Sequence, residues 1–62
     1  MKLPIAPIQE RLTHWGYPPL LENVRLVADE LSSYHREDYG TDYDALDDAI
    51  EELRGRRRLK KQ

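Results

Sequence analysis

The sequence predicts an all-α fold, a compact three-helix domain followed by a mobile basic C-terminal tail. Apolar residues recur at helical spacing in three separate runs. The runs are divided by Gly16 with Pro18 and Pro19, and then by Gly40, residue types that end helices and turn the chain. No stretch alternates apolar and polar residues as a half-buried strand would. A chain of 62 residues makes one domain at most, with a thin margin of stability.

Helix one is expected over about 7–15. Pro7 suits a first helical position because its missing N–H would be unpaired there. Ile8, Leu12 and Trp15 follow at helical spacing, and Gly16 supplies the stop. Pro18 and Pro19 force an extended turn, and Pro19 opens helix two. Leu20, Val24, Val27, Leu31 and Tyr34 form its apolar stripe, widened by Leu21 and Ala28. Helix three begins with Thr41 as N-cap and Asp44 three residues on, a capping-box-like pair. Its apolar face is read as Tyr43, Leu46, Ala49 or Ile50, and Leu53. Gly55 weakens the helix, so residues 1–55 form the domain and 56–62 the tail, with Leu59 able to fold back on Leu53. Trp15 and Tyr17 are expected to close the core over the Gly-Pro turn.

The formal net charge of −2 hides a strong asymmetry. Between Asp29 and Glu52 there are ten acids against one base, Arg36, whereas Arg54 onward carries six bases and no acid. The helix macrodipole accounts for acids in the first turn and bases in the last. Pairs such as Glu51 with Arg54 and Glu52 with Arg56 are also spaced to meet. Three like-charge pairs at i,i+4 remain unexplained: Asp44–Asp48, Asp47–Glu51 and Asp48–Glu52. At a few tenths of a kcal/mol each they cost about 1 kcal/mol together, a noticeable share of a small domain's stability.

Several chemistries lack their materials. The absence of cysteine removes disulfides and thiolate chemistry. No glycine-rich phosphate loop or nucleophile elbow is present, and the two histidines, His14 and His35, fall on different segments. The acid-rich stretch from Glu37 to Asp48 fails the calcium-loop register, because counting from Asp38 places Tyr43 where the glycine belongs. No cofactor, no metal site and no enzymatic activity are expected. With neither a signal peptide nor a spanning apolar run visible, the chain is read as soluble and cytoplasmic.

The segment IQERLTHWGYPPLLENVRLVADEL resembles the DNA-binding domain of the LexA-type SOS repressor family in its order of helix, Gly-Tyr-Pro-Pro turn and helix. The ending AIEELRGRRRL is similar to the close of many winged-helix domains. The resemblance implies a helix-turn-helix fold with a third helix in the major groove. The chain departs from it there, since 41–53 is lined with carboxylates that phosphates repel. The loop SSYHREDYG is also longer than a tight helix-turn-helix turn.

These observations predict a small regulatory or inhibitory protein, in class like the accessory proteins of phages and mobile elements. It would bind a protein partner with a basic surface through Asp44, Asp47, Asp48, Glu51 and Glu52, with Tyr39 as the aromatic contact. The alternative is a helix-turn-helix-like nucleic-acid binder that uses Arg54, Arg56, Arg57, Arg58, Lys60 and Lys61 on phosphates. A homodimer through the apolar remainder of helix two is a third reading.

Overall fold

The computed structural model describes residues 3–61. They form three α-helices, α1 (Ile5–His14), α2 (Leu21–Leu31) and α3 (Asp42–Gly55), with one 3₁₀ turn, Arg36–Asp38, between α2 and α3. No strand occurs among the described residues. The all-α three-helix class is therefore the one found, and each helix packs on the other two.

The boundaries follow local chemistry. Helix α1 starts two residues earlier than Pro7, with Pro4 as N-cap. Pro7 then occupies the third helical position, where its missing N–H still costs nothing because the first four N–H groups have no intrahelical partner. Two consecutive prolines hold the chain extended through Leu20, so α2 opens at Leu21 and not at Pro19. Helix α3 opens on a complete capping box. The Asp44 N–H donates to Thr41 Oγ1 at 3.1 Å, and the Thr41 N–H donates back to Asp44 Oδ2 at 3.1 Å.

The core draws Ile8 and Leu12 from α1, Val24, Val27 and Leu31 from α2, and Ala45, Leu46, Ala49, Ile50 and Leu53 from α3. Each buried aliphatic side chain of this kind stabilises the fold by roughly 1.5–3 kcal/mol. Both Ala45 and Ala49 are fully buried, and their small side chains let neighbouring backbones approach α3 closely. This places the centre of the buried face between Ala45 and Ile50 and turns Tyr43 outward, to 49% exposure. The expectation that Tyr43 lines the core is corrected accordingly; its ring instead lies beneath the Arg11 guanidinium, 5.5 Å from the centroid. Leu20 and Leu21 are also exposed, because Leu20 stands outside the helix and Leu21 begins it on the solvent side.

Two helices end in the same way. After α1, Gly16 takes φ +87, its N–H reaches Thr13 O, and the Tyr17 N–H reaches back to Leu12 O at 2.9 Å. After α3, Arg57 takes φ 56, its N–H reaches Arg54 O, and the Arg58 N–H reaches Leu53 O at 3.0 Å. Both are Schellman motifs, one with glycine in the left-handed position and one with arginine.

The second motif overturns the expectation of a trailing tail. It reverses the chain so that Leu59 is buried to 8% exposure in the same cluster as Leu53. Asn23, fully buried on α2, then grips the segment: its Nδ2 donates to Lys60 O and to Pro18 O, each at 3.0 Å, and its Oδ1 accepts from the Lys60 N–H at 2.9 Å. The Cα radius of gyration, 10.4 Å, matches the roughly 10.6 Å of a compact chain of this length. Through Lys61, the basic segment is part of the globule.

Candidate functional site

Two charged surfaces arise from α3 and its C-terminal turn. On the acidic one, most of the predicted binding residues meet partners inside the molecule. Asp44 closes the capping box. Asp47 accepts from Arg11 Nε and Nη2, the latter at 2.8 Å, and from the Trp15 indole N–H at 2.9 Å. Asp48 accepts from the Tyr39 hydroxyl at 2.8 Å. Glu52 pairs with Arg56 at 3.2 Å, and the same guanidinium lies 3.5 Å from Glu30 on α2.

The like-charge repulsion read along α3 is thus relieved from outside the helix. Arg11 comes from α1, Tyr39 from the connecting loop and Arg56 from the C-terminal turn. Asp47 is half-buried at the α1–α3 seam and so leaves the solvent-facing stripe to which the sequence assigned it. Its bonds to Arg11 hold its carboxyl below the ordinary value of 3.8, with the Trp15 N–H adding to the effect and burial opposing it.

Tyr39 is likewise engaged. Its ring stacks on Tyr34 with centroids 5.4 Å apart and planes 10° from parallel, while its hydroxyl holds Asp48. Burial, with Glu30 nearby, pushes the Tyr34 phenol well above its ordinary value, and the bond to Asp48 raises that of Tyr39. The pair ties the long α2–α3 loop to α3.

The basic surface is arranged differently. Arg54 does not meet Glu51; its guanidinium lies over the Trp15 ring, 5.8 Å from the centroid. The Lys61 ammonium lies 5.8 Å from the Tyr17 centroid. Contacts of this kind at exposed sites contribute about 0.5–1 kcal/mol and leave the cation accessible. Lys60 lies 3.5 Å from Glu22, and Arg56 has its two acids. Among the described residues, Arg54, Arg57, Arg58 and Lys61 have no carboxylate within ion-pair distance in the structure. Three of them, Arg54, Arg57 and Lys61, surround a depression of about 360 Å³ whose other lining residues are Tyr17 and Leu59.

The six predicted bases therefore divide into Arg56 and Lys60, which are ion-paired, and four that are not. Sequence reasoning missed Arg11, Asn23 and the place of Tyr17 in the lining of this depression. Asn23 carried a signal, since it lies four residues before Val27 on the apolar stripe, where a polar group needs partners. The Arg11–Asp47 bond joins residues 36 apart and has no local signature. Among the described residues, no group of three or more His, Cys, Asp or Glu side chains is placed to hold a metal, and no helix is long and apolar enough to cross a membrane. No protein-family model matches the sequence, and comparison with curated proteins and with solved structures returns no significant match.

Proposed function

We propose that this chain is a small non-enzymatic binding protein whose basic end engages the phosphate backbone of a nucleic acid. The observation that carries the reading is the contrast between the two surfaces. Among the described residues, four cations at the C-terminal end have no acidic partner, whereas four of the five predicted stripe carboxylates are hydrogen-bonded or ion-paired within the molecule. Unpaired cations on a fixed backbone gain most from phosphates, because binding releases condensed counterions and breaks no internal ion pair. The helix-turn-helix resemblance agrees with this proposal in ligand class alone. Helix α3 presents carboxylates, so the turn that follows it would carry the contact.

The test is a titration of labelled generic single-stranded and duplex oligonucleotides, read by anisotropy from low to physiological salt. Four phosphate contacts predict a log–log salt slope of about −2.8 on a single strand and about −3.6 on a duplex. Changing Arg54, Arg57, Arg58 and Lys61 to Gln should bring the slope towards zero, and D48N/E51Q/E52Q should leave it unchanged. Absence of binding at the lowest salt overturns the reading.

The second reading, a protein partner with a basic surface, is favoured by the exposure of Asp44, Asp48, Glu51 and Glu52 on one side of α3. It predicts that a lysine-rich peptide binds the wild type and is lost by D48N/E51Q/E52Q.

A further inference from the structure

We infer that the depression beside Tyr17 seats one unstacked base of a single-stranded nucleic acid, with the flanking phosphates on Arg54, Arg57 and Lys61. This rests on the backbone-binding proposal and goes beyond it, because backbone contact alone distinguishes neither strand state nor the presence of a base.

Four features of the site support it. It is lined by Tyr17 and Leu59, 6% and 8% exposed with the Lys61 ammonium over the ring, while three cations stand around it and no carboxylate lines it. That pairing of an apolar lining with a cationic rim matches a base joined to its phosphates better than it matches phosphate alone. The volume of about 360 Å³ falls within the roughly 300–1,000 Å³ of small-ligand pockets. The lining is set before binding: Tyr17 is fixed by the Schellman motif after α1, and Leu59 by the Asn23 grip on the next residue.

The competing occupant of the Tyr17 ring is Lys61. An exposed cation over a ring strengthens an interaction about two- to five-fold, whereas stacking one base on an aromatic side chain strengthens binding about five-fold or more. A base therefore displaces the ammonium, which stays near enough to pair with the adjacent phosphate. A duplex keeps its bases paired and stacked inside, so its backbone meets the cationic rim and leaves the depression empty.

The experiment compares oligo(dT), an abasic strand of equal length and charge, and a duplex on the wild-type protein at one salt concentration. Oligo(dT) should bind at least about five-fold more tightly than the abasic strand, with the same salt slope, and the duplex should resemble the abasic strand per phosphate contacted. Tyr17→Leu should bring oligo(dT) down to the affinity that the same variant shows for the abasic strand. Equal affinity for oligo(dT) and the abasic strand overturns the base seat while leaving backbone binding in place. Failure of all three probes to bind at low salt removes both. The strand comparison uses the wild type alone, so the proposal stays testable if Tyr17→Leu does not fold.

Discussion

At Asp47 a single carboxylate meets the Arg11 guanidinium and the Trp15 indole N–H, and this changes the sign of a mutational expectation. Read from α3 alone, neutralising Asp47 removes a like-charge neighbour of Glu51 and should help. Read from the structure, Asp47→Asn loses a charge-assisted pair at a half-buried seam, so urea melts should show about 1 kcal/mol lower stability. Asp48→Asn and Glu51→Gln should stay within about 0.5 kcal/mol of wild type. Because the folded carboxyl lies below its ordinary 3.8, its contribution is present above that value. It fades as pH falls towards the lower folded value, so the gap between wild type and Asp47→Asn should close in acid. Arg57 is the other informative residue. Its left-handed φ of 56 strains any side chain that carries a Cβ, so Arg57→Gly should raise stability by up to about 1 kcal/mol in a thermal melt. Gly16→Ala, at φ +87, should lower it by a similar amount.

Among the elements, the helices were legible and their junctions were only partly so. The capping box of α3, the Gly16 stop and the Val24, Val27 and Leu31 part of the α2 stripe rest on spacings within a few residues, and the structure keeps them, whereas Leu20 stands before the helix, Tyr34 follows it, and Leu21 and Ala28 face solvent. The face of α3 was read too far towards Tyr43, because Ala45 was not counted among the apolar positions. The C-terminal segment was half legible: its charge suggested solvent, Leu59 pointed to a return towards Leu53 that the structure shows, and a distant asparagine completes its anchoring. Asn23→Ala tests that element directly. It leaves the Lys60 N–H and the Pro18 and Lys60 carbonyls without their partner, and should cost about 2 kcal/mol. Hydrogen exchange should show lost protection of the Lys60 amide beyond what the global destabilisation explains. Unchanged protection would mean that Leu59 alone holds the segment.

Over the whole molecule, a net charge of −2 conceals a division of labour. Carboxylates on α3 gather Arg11, Tyr39 and Arg56 and so join the helices, while the C-terminal turn carries cations that the fold does not consume. The candidate site was half legible: the run of bases and the Glu52–Arg56 pair were visible, but the pairing of Lys60 with Glu22 and of Arg56 with Glu30 depends on acids carried on another helix. Affinity and stability can be read together in one variant. Arg57→Gly removes an unpaired cation and relieves backbone strain together, so it should show a higher melting temperature and weaker, less salt-dependent binding to a single strand. A variant that is more stable and binds as tightly as wild type would show that the basic end is not the binding site.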